Sequence, residues 1–236
     1  MRLFARLAVA SFVLSSLISY GVGGLIARAG ATQSGPTFFV NAATDNASTY
    51  ATDCTVSTNT DCGIDDAINE FNQDTTVGNV DTIIFASTVP TFTVTDPTMI
   101  TNTTSGVSLS VEGNGQSETT VSGNGVNTVF AINGSHVSIS GLTITDGDGD
   151  ASNFGGGGAV SVAPYTASVR VSDDTISNNT SDDGQGGAVF VGTDSGTSMT
   201  NDTFSDNTAL DGGEGGAVFI NNDTDLVTMT NDTLLD

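Results

Sequence analysis

Gly157-Gly158-Ala159-Val160 returns as Gly186-Gly187-Ala188-Val189 and again as Gly215-Gly216-Ala217-Val218, each copy 29 residues after the last. A second string keeps pace with it: VSISGLTI from Val137, VRVSDDTI from Val169, SMTNDTF from Ser198 and VTMTNDTL from Val227. Aligning Val111, Ile139, Val171, Met199 and Met229 gives steps of 28, 32, 28 and 30 residues. A fixed period of this size is the signature of a solenoid, whose repeats bury their apolar faces only against their neighbours.

The residues inside one period decide which solenoid. Helical repeats carry apolar residues at 3.6 spacing, and none are found here. The periodic parts are short alternating runs rich in Val, Ile and Thr, split by Gly, Asn and Asp, which read as strands and turns. Identical strands repeated at one period stack as parallel sheets. The fold expected is all-β, a right-handed parallel β-helix with coils of about 29 to 30 residues.

Two residues after each aligned aliphatic stand Gly113, Gly141, Asp173, Asn201 and Asn231, all types that accept a left-handed backbone at low cost. The apolar parity switches there: Val137 and Ile139 share one phase, Leu142 and Ile144 the other. Because strand side chains alternate strictly between faces, a change of phase needs a bend. This column is therefore read as a structural corner. After it, Ile144, Ile176, Phe204 and Leu234 form an inward column, followed by a polar loop such as 180–185 and then the GGAV strand. In that strand Val160/Val162, Val189/Val191 and Val218/Ile220 are expected inside, with Ser161, Phe190 and Phe219 stacked outside.

Residues 1–31 read as a signal peptide: Arg2 and Arg6, an apolar stretch from Leu7 to Ile26, and a small-x-small cleavage site after Ala31. A retained membrane anchor is the rival reading. The mature protein is expected to be secreted and not integral to a membrane. Of four basic residues only Arg170 lies beyond the leader, against 27 acidic ones. Such a surface repels nucleic acid and acidic polymers, whose recognition draws on Lys and Arg. Cys54 and Cys62, in an exported chain, are expected to close a small disulfide loop.

The sequence also resembles a known family. GGAV with a preceding FxxN is similar to the polymorphic outer-membrane protein repeat. FxxN occurs as Phe204-Ser205-Asp206-Asn207 and as the variant Ile176-Ser177-Asn178-Asn179, whereas the first copy has Gly147 in place of Asn. Upstream, Cys62-Gly63-Ile64-Asp65-Asp66-Ala67 looks like a degenerate form of the Cys-Ser-Leu-Arg-Glu-Ala motif that precedes many bacterial β-helices. The resemblance spans most of residues 38–236. It implies a pectate-lyase-like β-helix at the cell surface or outer membrane, often the passenger of a larger chain, and implies no activity. Residues 32–106 are then an N-terminal cap with the first strands, including a short amphipathic helix around Ala67, Ile68 and Phe71. Residues 107–236 are the β-helix repeats. The last repeat stops soon after Leu234, so the parent chain is expected to be longer, with a C-terminal barrel or anchor.

Candidate chemistry is sparse. A polysaccharide lyase needs a base and cations, and a glycoside hydrolase needs paired carboxylates. Beyond the leader stand one Arg and one His, and the adjacent Asp173-Asp174 point in different directions. No catalytic residue or cofactor is therefore assigned. Asp146-Gly147-Asp148-Gly149-Asp150 alternates three carboxylates as calcium loops do, so Asp146, Asp148 and Asp150 are the candidate Ca²⁺ ligands. The function expected is a non-catalytic adhesin or autotransporter-passenger module that binds a surface protein or glycan. A polysaccharide-active enzyme and an inert envelope spacer are the alternatives.

Overall fold

The structure is a computed structural model that describes residues 33–44, 53–96, 98–134, 136–150, 155–166, 168–182, 185–210, 214–221 and 226–235. The leader and its cleavage site after Ala31 lie outside the described residues.

The chain winds into a parallel β-solenoid of about five coils. Each coil gives one strand to each of three main sheets, and every pairing is parallel. The first sheet has seven strands, ordered as they occur in the chain: Gln33–Val40, Asn79–Phe85, Ser108–Glu112, His136–Ser140, Ser168–Ser172, Thr197–Thr200 and Val227–Thr230. The second sheet has six strands and the third, which carries the GGAV repeats, has five.

The register is the one the repeat requires. Val111, Ile139, Val171, Met199 and Met229 are directly paired in succession, and Ile83 adds a further rung before them. Ile144, Ile176, Phe204 and Leu234 stack in the second sheet, and Val160, Val189 and Val218 in the third. These columns meet along the axis, and from Ile83 to Met199 the first column is fully buried. Stacked rungs lie about 4.8 Å apart, so each aliphatic side chain of an inner coil is covered by its equivalents in the neighbouring coils.

The corner column is left-handed in four of its five members: φ is 70° at Gly141, 60° at Asp173, 61° at Asn201 and 59° at Asn231. Gly113 lies outside that region, and its glycine has another cause. A Cβ there would stand 2.1 Å from the Gly141 carbonyl oxygen. A second left-handed column, Asp146, Asn178 and Asp206, turns the chain again after the second sheet.

Two expectations are corrected. The stretch expected to be a polar loop from Thr180 begins as a strand: Thr180–Ser181 pairs with Asp148–Gly149 and Thr208–Ala209 in a small fourth sheet. The second glycine of GGAV lets this ribbon lie close, since a Cβ on Gly187 would be 2.5 Å from the Thr208 carbonyl carbon. The outward face of the third sheet is also not open. Ser161 is fully buried and Phe190 is 3% exposed, although Phe190 and Phe219 do stack at 5.8 Å between ring centroids. The loop before the first GGAV strand folds over that face: a Cβ on Gly155 would lie 2.3 Å from the Phe190 ring.

At the N-terminal end, the α-helix Ile64–Gln73 (α1) buries Ile64, Ala67, Ile68 and Phe71. Asp66 Oδ2 accepts the Gly63 N–H at 3.0 Å, satisfying a donor at the helix start. Asn72 donates to the Met99 carbonyl and accepts from the Thr101 N–H, so α1 occupies the free edge of the strand Thr98–Ile100. Cys54 and Cys62 are disulfide-bonded, and their carbonyls accept the N–H groups of Phe39, on the first strand, and of Asn41, just past its end. Among the described residues no helix is long and apolar enough to cross a membrane.

Candidate functional site

Among the described residues, the outward face of the first sheet holds the one cationic side chain, Arg170, and the one imidazole, His136. Strand alternation buries Val169 and Val171, so Arg170 between them is exposed. The parallel register then sets Arg170 beside Ser138 on one side and Ser198 on the other, and sets His136 between Ser108 and Ser168. His136 Nδ1 lies 2.6 Å from Ser168 Oγ, a hydrogen bond that fixes the ring on the sheet face.

Ser108, Ser110, His136, Ser138, Ser168 and Arg170 line a shallow groove of about 240 Å³, with Val80 at one end. Four hydroxyls, an imidazole and a guanidinium offer donors to sugar hydroxyls, peptide carbonyls or a single carboxylate. At the rim, Ser110 Oγ donates to Glu112 Oε1 at 2.9 Å. No lining residue is itself a carboxylate. The sequence contained the signal: the 32-residue step that aligns Ile139 with Val171 also aligns His136 with Ser168. Serine is too common here for the row to stand out unaligned.

The candidate calcium residues do not converge. Asp146 and Asp150 are exposed and Asp148 is half-buried. Asp146 Oδ2 accepts from Ser122 Oγ at 3.4 Å, and Asp148 Oδ1 from Thr180 Oγ1 at 3.3 Å. Burial raises the Asp148 pKa, and Asp182 and Asp150 add to it, while the Thr180 hydroxyl opposes the rise. Among the described residues, no group of three or more His, Cys, Asp and Glu side chains is placed to hold a metal.

Asp173 and Asp174 separate as adjacent corner residues should: Asp173 is exposed and Asp174 fully buried. Asp174 belongs to a ladder that the sequence reading missed. Its Oδ1 accepts the Leu142 N–H from the preceding coil at 2.7 Å, and its Oδ2 accepts the Ser172 N–H at 3.2 Å. Asp202 repeats this on Asp174 and Thr200, and Asp232 on Asp202 and Thr230. Burial, outweighing these donors, pushes the carboxyl of Asp174 up to about 8 and that of Asp202 up to about 6. A parallel asparagine ladder stands at the second corner. Asn179 Oδ1 accepts the Gly147 N–H, and Asn207 Oδ1 accepts the Asn179 N–H. The Asn of FxxN thus ties coil to coil.

Comparison with protein-family models, with curated proteins and with solved structures gives no match.

Proposed function

We propose that this protein is a non-catalytic β-helix module, secreted or held at the cell surface, that binds a glycan or protein ligand on the outward face of its seven-stranded sheet. We further infer that it is a passenger or adhesin of the polymorphic outer-membrane protein type, exported through cleavage after Ala31. One observation carries the reading. Arg170, the one basic residue beyond the leader, shares a serine-lined groove with His136, the only histidine, in a chain of formal net charge −23. An acidic polymer or nucleic acid meets repulsion from the rest of this surface. A neutral polysaccharide or a peptide, satisfied by hydroxyls, imidazole and one guanidinium, does not.

The enzymatic reading has one observation in its favour, the 2.6 Å contact between His136 and Ser168. Hydrolysis of a glycosidic bond takes two facing carboxylates, and the groove has only Glu112 at its rim.

The test is a panel of immobilised neutral and acidic polysaccharides, read for bound protein and for new reducing ends, with wild type, Arg170→Ala and His136→Ala. Binding without new reducing ends is expected, weakened about tenfold by Arg170→Ala, the equivalent of about 1.4 kcal/mol. Binding untouched by either substitution, or reducing ends lost in His136→Ala, overturns the proposal. Cell fractionation tests export separately: protein retained in the cytoplasm contradicts it.

A further inference from the structure

The six strands of the second sheet are Thr91–Thr93, Thr120–Ser122, Thr143–Thr145, Thr175–Ser177, Thr203–Ser205 and Thr233–Leu235. The middle residue of each belongs to the inward column, so its first and third residues face out. Register then aligns the outward residues into two columns. Thr91, Thr120, Thr143, Thr175, Thr203 and Thr233 pair in succession, and so do Thr93, Ser122, Thr145, Ser177, Ser205 and Leu235. Of these twelve positions eight are threonine, three are serine and none is charged, in a chain of formal net charge −23.

The charge stops at the edges of the sheet. Asp173 stands exposed in the turn before it, and Asp146 and Asp206 in the turns after it. Unlike the outer face of the third sheet, this one is open: none of the twelve residues is buried. The loop at Gln116 borders the first column at two rungs, where Thr143 Oγ1 donates to the Gln116 carbonyl at 2.6 Å and Thr175 Oγ1 to Gln116 Oε1 at 3.0 Å. Ser122 Oγ donates to Asp146 Oδ2 at 3.4 Å. Among the described residues, the hydroxyls of Thr145, Ser177, Thr203 and Ser205 have no protein partner and are left to water.

Stacking sets neighbouring hydroxyls of a column about 4.8 Å apart, and the strand sets the two columns about 6.6 Å apart, on a strip about 24 Å long. Oxygen rows on the prism faces of ice repeat at similar spacings in two perpendicular directions. Threonine is restricted at χ1, so its hydroxyl holds a lattice position at little cost in entropy. Charge matches as well as spacing, since an uncharged face meets an uncharged lattice and does not impose its own hydration on the water between. The first sheet lacks this property, because Glu112, His136 and Arg170 interrupt its hydroxyls. A crystalline polysaccharide also repeats, but its apolar ring faces call for aromatic partners, and none of the twelve residues is aromatic.

We propose that the two hydroxyl columns of the second sheet bind ice, by holding a layer of water that joins the crystal lattice. The inference is independent of the proposed ligand groove on the first sheet.

The experiment is partitioning of the full chain into slowly growing ice, with the shape of single ice crystals and the gap between their melting and freezing temperatures. Wild type is expected to enrich in the ice, to facet the crystals and to open the gap. Thr203→Lys and Ser177→Lys, on separate rungs, are each expected to lose all three effects while keeping the thermal unfolding curve of wild type. Arg170→Ala is expected to keep all three. Should one lysine variant fail to fold, the other reads the same loss. Wild type excluded from ice, ice binding undiminished in a folded lysine variant, loss in Arg170→Ala, or binding to crystalline cellulose or chitin in place of ice each overturns the proposal.

Discussion

The Asp174 carboxylate accepts the backbone N–H of Leu142 across the gap between two coils, 2.7 Å from oxygen to nitrogen, with both residues fully buried. The contact explains why a corner can sit in the interior at all. A turn leaves N–H groups outside the ladder, and a buried one left unpaired costs about 1–3 kcal/mol. Where the column has Leu142 instead of Asp, the N–H below it belongs to Asn114 and is taken by Thr119 Oγ1 at 3.0 Å. Asp174→Ala strands both the Leu142 and the Ser172 N–H, and an expected loss of about 2–5 kcal/mol follows. Urea denaturation of the two proteins measures it.

The same burial gives an inverted pH dependence. Asp174 and Asp202 are raised in the folded protein to about 8 and about 6. The unfolded carboxyls release their protons near 4. Between those values the folded state holds protons that the unfolded state has lost, so stability falls as pH rises. Asp81, raised to about 6, acts in the same direction. In EDTA the melting temperature is expected to be higher at pH 5 than at pH 8.5, and Asp174→Asn is expected to flatten the slope between pH 6 and 8.5.

Phe190 separates stability from binding. Because the loop at Gly155 covers its ring, Phe190→Ala is expected to cost about 3–5 kcal/mol, as large-to-small changes in a core do. It should leave ligand binding per folded molecule unchanged. Arg170→Ala should do the reverse. Chemical denaturation and the polysaccharide panel, run on both variants, check the pair.

The disulfide fastens the other end of the same strand stack. Loop closure between Cys54 and Cys62 is worth about 2.5 kcal/mol by chain entropy. Reduction is expected to act first on the end of the first strand, where the N–H groups of Phe39 and of Asn41 just beyond it bond the two cysteine carbonyls. Hydrogen exchange with and without reductant should show faster exchange at Phe39 and Asn41, and little change at Ile139 or Val171.

Much of this molecule is legible in its sequence because a solenoid repeats its own evidence. Five aligned aliphatics from Val111 to Met229 fix period and register, and the structure pairs them one to one. Features that depend on a single coil were harder to read. Phe190 looked outward by parity, and parity was right; its burial comes from a loop, which alternation does not describe. Asp174 reads only as pointing away from Asp173, and its burial is not legible from a single coil, although DDT, NDT and NDT recur at one column. The serine row beside His136 and Arg170 has no local signature, since it exists only across coils. Asp81 has no repeat to compare with.

Stacking in this register is the claim on which the groove, the ladders and the pH dependence all rest. Cysteine pairs on the outward face test it most directly, by mass-spectrometric mapping after mild oxidation. Ser110 and Ser138 are direct partners, about 4.8 Å apart, within reach of a disulfide; Ser110 and His136 are offset by two residues, beyond the roughly 7 Å limit. The solenoid predicts a crosslink in Ser110→Cys/Ser138→Cys and none in Ser110→Cys/His136→Cys. A crosslink in the second pair and not the first would contradict it.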